Sequence, residues 1–207
     1  MKSGKKIPSA VKQLRLISAF KGYNPGILDC IEISSDDSFM LVDDEACTHI
    51  STREEDSHKC CYCLNPNKNE IIVLPLDKKL IKHQKGGMAD GAVFDESKFA
   101  FVEFKDQAQG NTFGAIQETY TKASEQLSAA LNLFVDKLKK DNASVKFTNL
   151  INVFCHIIVS DKFPRENALE QNMKVAFAMS NHGVGLSFER RIEFNDRTER
   201  DGKAEIA

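Results

Sequence analysis

Residues 85–106 read KGGMADGAVFDESKFAFVEFKD. Two apolar runs, Gly91 to Phe94 and Phe99 to Lys105, flank the polar connection Asp95-Glu96-Ser97-Lys98, which is the pattern of an antiparallel hairpin. The second run carries Glu103 and Lys105 at alternate positions among Phe and Val, so both side chains project from one face of the strand. With Asp95 to Lys98 as the turn, Phe94 faces Phe99 and Val93 faces Ala100, and the same register sets Asp90 opposite Glu103. Directly opposed residues share a face, with Cβ atoms about 4.5–5.5 Å apart. Two carboxylates that close repel each other unless a cation lies between them or one holds a proton. Buried charge is costly unless it is paired or bound to metal. The run therefore predicts either a solvated polar face or a site. A hard divalent ion such as Mg2+, bound through one or two carboxylates and several waters, fits the site.

The flanking sequence predicts a sandwich around this hairpin. Val11 to Phe20 is expected to form a first helix ending at Gly22 and the Asn24-Pro25-Gly26 turn. Ile27 to Ile33 and Ser38 to Val42 read as short strands, Asp43 to Lys68 as a polar, Cys-bearing insertion or loop, and Glu70 to Leu76 as a strand. Thr112 is placed to cap a long helix from Phe113 to Lys140. Ile116, Tyr120, Ala123, Leu127, Ala130, Phe134 and Leu138 fall at steps of three and four and form its buried face. Asn149 to Val159 is almost continuously apolar, as in a strand covered on both faces. A helix from Arg165 to Met179 and a final strand from Gly183 to Phe194 complete an α/β fold, with one central mixed sheet flanked by helices. All 207 residues are expected to form one domain, with residues 1–10 and 196–207 as flexible ends.

Asp90, twelve intervening residues and then Glu103-Phe104-Lys105 resemble the signature of the PD-(D/E)XK, or restriction-endonuclease-like, nuclease superfamily. Met88-Ala89 stands where the family usually has Pro before the Asp. Gly86-Gly87 before the Asp, an apolar second strand and a long helix afterwards agree with the family pattern. The resemblance covers about Lys78 to Leu138. It implies the restriction-endonuclease-like sandwich and a magnesium- or manganese-dependent hydrolase acting on phosphodiester bonds. A DNA endonuclease of restriction, defence or repair is expected. Asp90, Glu103 and the Phe104 backbone carbonyl would ligate the metal, and Lys105 would act on the nucleophilic water. Gln117, in the following helix, would reach the substrate, while Tyr120 belongs to the core face. The superfamily often adds an acid from the first helix. Val11 to Phe20 has none, which leaves Glu32 and Glu45 as later candidates. A homodimer with paired active sites also follows from the resemblance. The alternative is a non-catalytic binding or regulatory protein that keeps the nuclease fold.

Net charge is only −2, but its distribution is uneven. Lys2 to Lys21 carries only positive charges, Asp29 to Asp56 is strongly acidic, and Lys78, Lys79, Lys82 and Lys85 form a basic cluster beside the quoted stretch. That cluster is the candidate nucleic-acid contact. No apolar run has the length of a membrane span, so no membrane partner and a cytoplasmic location are expected, with the six cysteines reduced. His58, Cys60 and Cys63 could supply part of a structural zinc site, completed by Cys47 and His49. The competing reading has these cysteines packed as thiols beneath a loop. Cys60 to Cys63 with His83 also resembles an HNH nuclease motif, but the distal cysteine pair is missing.

Overall fold

The computed structural model describes residues 6–81, 87–105, 112–141 and 147–195. The quoted stretch forms the predicted hairpin, Gly91–Phe94 (β6) and Lys98–Lys105 (β7). Its register is the expected one: Phe94 pairs with Phe99, Val93 with Ala100 and Gly91 with Val102. The turn closes on Asp95, whose carboxylate accepts hydrogen bonds from the Ser97 and Lys98 amides. This Asx-type bonding is the chemistry that favours Asp at turns.

The hairpin lies at the centre of a six-stranded mixed sheet. On one side, Ile71–Pro75 (β5) pairs antiparallel with β6, and Glu32–Ser34 (β1) pairs antiparallel with β5. On the other, Asn152–Val159 (β8) runs parallel to β7, and Gly185–Ser187 (β9) runs parallel to β8. Parallel neighbours need a crossover. The helix Phe113–Asp141 (α3) supplies the first, with the short helix Phe147–Leu150 (α4), and Asn167–Ser180 (α5) supplies the second. The Ala115 amide donates to Thr112 Oγ1 at 3.3 Å, so Thr112 caps α3 as expected. The apolar face of α3 is buried from Ile116 to Leu138. Phe94, Phe99, Phe101, Phe134 and Phe147 form a contiguous aromatic cluster between this helix and the sheet.

The opposite face of the sheet corrects the one-sheet expectation. A second, four-stranded sheet covers it, in the order Arg191–Glu193 (β10), Cys61–Leu64 (β4), Ser38–Asp43 (β2), Thr48–Ser51 (β3). Val73, Val93, Ala100 and Val102 of the main sheet pack there against Leu41, Cys61, Cys63 and Ile192. The protein is thus mixed α/β, with two mixed sheets stacked and helices on the outer face of the larger one. Residues 43–68, expected to be irregular, supply β3, β4 and a 3-10 turn at Glu54–His58. The predicted final strand is two strands, β9 in the larger sheet and β10 in the smaller. The first helix is also two pieces, Ser9–Gln13 (α1) and Leu16–Ala19 (α2), separated by Arg15 in the left-handed region at φ 53°. Residues 6–10 join the fold instead of fraying: Ala10 is buried and Ile7 packs on the core. Residues 1–5 and 196–207 lie outside the described residues.

Candidate active site

Alternation along the hairpin sends Ala92, Phe94, Phe99 and Phe101 into the core under α3, and it sends Asp90, Glu103 and Lys105 to that same face at the open end. There the ladder continues through side chains. The Asp90 amide donates to Glu103 Oε2 at 3.1 Å, and the Phe104 amide donates to Asp90 Oδ2 at 2.6 Å. Lys105 Nζ donates to Glu103 Oε1 at 2.5 Å and to Gln126 Oε1, from α3, at 2.8 Å. Gln126 Nε2 in turn donates to the Met88 carbonyl at 3.4 Å. Two carboxylates, one ammonium and one amide therefore converge where β6 begins and β7 ends.

Burial decides the electrostatics. Glu103 is only 1% exposed. Removal from water, then the Glu103 charge, then Asp43, push the Asp90 carboxyl up to about 8, against the smaller opposing effects of the Phe104 amide and Lys105. Glu103 rises to about 7, again first through burial, even though Lys105 holds it down. One ammonium does not balance the buried Glu103 and half-buried Asp90 carboxylates with a third nearby. Without further positive charge the pair retains a proton near neutral pH. A divalent cation would displace it.

Nothing in the sequence marks Asp43, because its approach to the site depends on the second sheet. It ends β2 opposite Thr48 of β3, whose Oγ1 donates to Asp43 Oδ1 at 2.9 Å. Thr48 packs directly on Gly91, where an added Cβ would lie 2.8 Å from Thr48 Cγ2. Glycine after Asp90 thus lets the second sheet settle onto the mouth of the hairpin. Of the two acids named as later candidates, Glu32 has its carboxylate engaged between strands, accepting from the Ile50 amide, and Glu45 lies in the turn that Lys78 contacts.

Comparison with protein-family models, curated proteins and solved structures finds no match to this chain.

Gln117 is exposed on the first turns of α3. Nine residues are about two and a half helical turns, so it lies on the opposite flank of α3 from Gln126, the glutamine that bonds Lys105. Tyr120 is buried, as expected, and donates to Glu170 at 3.0 Å. Lys78 Nζ reaches the Asp44 and Glu45 carbonyls, with Lys79 next to it, while Lys82, His83 and Lys85 lie outside the described residues. Among the described residues, no group of three or more His, Cys, Asp or Glu could hold a metal ion, and His58, Cys60 and Cys63 do not assemble into one. Cys63 faces the core between the sheets beside Cys61, whereas Cys60 Sγ donates to the Ser57 carbonyl beside Arg190. No described helix is long and apolar enough to cross a membrane.

The donor set at the hairpin mouth consists of oxygens from two carboxylates. That set suits Mg2+ or Mn2+, which keep several waters and need only one or two protein carboxylates. It does not suit zinc, which favours nitrogen and sulfur ligands.

Proposed function

We propose that the chain is a divalent-metal-dependent nuclease of the restriction-endonuclease-like kind, hydrolysing phosphodiester bonds in DNA. One observation carries this reading: Asp90 and Glu103 are opposed at the open end of a buried hairpin, with Lys105 bonded to Glu103 on the same face. A purely structural ion pair would need Glu103 and Lys105 alone. It would be weakened by a second carboxylate that raises the cost of ionising the first.

Asp90 and Glu103 would hold Mg2+ or Mn2+, with the Phe104 carbonyl as the further ligand that the family resemblance implies. Such an ion supplies Lewis acidity toward the phosphoryl oxygens and lowers the pKa of bound water. Lys105, anchored at Glu103, would orient the attacking water by donating to its oxygen. Hydrolysis adds that oxygen to phosphorus and breaks the bond to one ester oxygen. One proton of the water is released and the departing oxygen gains one. The Asp90 and Glu103 side chains keep the charged centre fixed, because each is tied to the backbone of the opposite strand. Lys78 and Lys79, with Lys82 and Lys85, are the proposed phosphate contacts outside the reacting centre.

Incubation of the purified chain with plasmid, linear and branched DNA, with and without Mg2+ or Mn2+, tests the reading. Metal-dependent cleavage that disappears in the Glu103→Gln variant is the expected result. No cleavage of any substrate, or equal cleavage by the variant, would reject it.

A further inference from the structure

Gln126 occupies a position that the chemistry of Asp90, Glu103 and Lys105 does not by itself require. It lies on α3 between Ala123 and Ala130, three residues before it and four after, both fully buried. Two small residues on that flank let the helix approach the sheet closely enough for an amide to reach the strand ends. Its oxygen accepts from Lys105 Nζ at 2.8 Å, and its nitrogen donates to the Met88 carbonyl two residues before Asp90. The chain entering Asp90 is shaped around it as well. Gly87 sits at φ +84°, and a Cβ there would lie 3.2 Å from Gln126 Cγ and Nε2. The amide thus spans both arms of the open hairpin.

We propose that Gln126 is a positioning residue that holds the Lys105 ammonium at a fixed place above the two carboxylates. This inference rests on the nuclease reading for its catalytic consequence. The physical reason is the short Lys105–Glu103 ion pair. With Glu103 as its sole acceptor, a flexible lysine can swing around that one contact. A second acceptor on the rigid helix fixes the direction in which the remaining ammonium hydrogen points. A neutral amide does this without adding negative charge to a site that already repels it. Lysine has three donors. With two directed to Glu103 and Gln126, the third can donate to the attacking water.

Two variants separate positioning from simple packing. Gln126→Met keeps length and helix propensity but removes both hydrogen bonds, whereas Gln126→Glu keeps an acceptor for Lys105 and loses the donor to Met88. Single-turnover cleavage by Gln126→Met should fall by about 10- to 100-fold, the cost of a small misplacement of a catalytic group, with KM and thermal midpoint near wild type. Gln126→Glu should recover part of that loss, because its acceptor holds Lys105 while its added negative charge offsets some of the benefit. Nitrogen-15 NMR of lysine ammonium groups gives a readout independent of activity. The slowly exchanging Lys105 signal, assigned by its absence in Lys105→Ala, should vanish in Gln126→Met and persist in Gln126→Glu. Wild-type rate and an unchanged ammonium signal in Gln126→Met would overturn the proposal. So would equal losses in both variants accompanied by lower thermal midpoints, since that pattern belongs to the Met88 tie and to packing. Absence of cleavage by the wild-type chain would reject the nuclease reading instead, and the ammonium signal would then decide the anchoring alone.

Discussion

The two ends of one hairpin treat an aspartate in opposite ways. At the closed end, Asp95 is 4% exposed. Its carboxylate accepts from the Ser97 amide at 2.7 Å, Ser97 Oγ at 2.8 Å, the Lys98 amide at 2.8 Å and Asn69 Nδ2 at 3.0 Å. At the open end, half-buried Asp90 accepts from the Phe104 amide and faces the buried Glu103 carboxylate. The first arrangement satisfies a charge with local donors and stabilises a turn. The second leaves a surplus of negative charge that a cation can relieve. Sites and braces can therefore use the same residue type on the same strands, and the local balance of charge and donors distinguishes them.

The largest expected contrast is in activity. Lys105→Ala should reduce metal-dependent cleavage by orders of magnitude while leaving DNA binding largely intact, because the electrostatic stabilisation it joins is worth several kcal/mol. Asp95→Ala, compared per folded molecule, should cleave at the wild-type rate. A cleavage defect in Asp95→Ala as large as that of Lys105→Ala would erase the distinction between the two ends.

The next contrast is in pH dependence. Asp90 and Glu103 titrate higher in the folded chain than their ordinary values of 3.8 and 4.5. The folded state therefore binds more protons than the unfolded state between those values and about 7 and 8. Their contribution to stability is fully present below the ordinary values and is lost as pH rises through the folded ones. In chelator, stability should decline across this window by about 1.4 kcal/mol per pH unit for each proton retained only by the folded state. Asp44 and Asp56 act in the opposite sense at lower pH. Backbone hydrogen bonds from Ala46 and Cys47 hold Asp44 down, and Ser51 holds Asp56 down, so stability is also lost as these groups protonate in acid. Denaturant titrations should thus find a maximum on the acid side of neutrality, and Asp90→Asn should flatten the decline above it. Rising stability from mild acid to pH 8 in chelator would contradict the surplus of charge at the open end.

A smaller effect is expected at the closed end. Asp95→Ala strands several donors, at a cost of about 1–3 kcal/mol, measurable as a lower denaturation midpoint at every pH. The smallest effect concerns the rim. Lys78→Ala with Lys79→Ala should weaken DNA binding and reduce the slope of log affinity against log salt by up to about 0.9 per phosphate contact removed. Unchanged salt dependence would assign these lysines to the Asp44–Glu45 turn alone.

The hairpin and its register were legible because strict alternation and a polar four-residue connection leave little freedom for slippage. The long helix was legible from its repeat of apolar residues. The second sheet was hidden because its short strands lie among buried polar residues that satisfy one another. Ser51 donates to Asp56, Thr48 to Asp43, and Asn65 to the Asp36 and Asn69 carbonyls. Those pairs keep residues 43–68 polar in composition while they pack as strands. The break at Arg15 carried no glycine to announce it. Asp43 could not be assigned without the second sheet, since its place depends on Thr48 and Gly91. Gln126 did leave a signal: a glutamine between Ala123 and Ala130 on a helix that follows the hairpin marks where an amide can approach the strands. Gln117, which resembles a family position, lies on the other flank.

The central claim is that the open end of the hairpin is a divalent-cation site because Asp90 and Glu103 together carry more charge than Lys105 balances. Calorimetric titration of Mn2+ into the full chain near neutral pH, repeated in buffers of different ionisation enthalpy, tests it directly. The account predicts saturable binding with release of protons, lost in both Asp90→Asn and Glu103→Gln and preserved in a folded Asp95→Asn. No saturable binding by the wild-type chain, or equal binding by Asp90→Asn and Glu103→Gln, would contradict it.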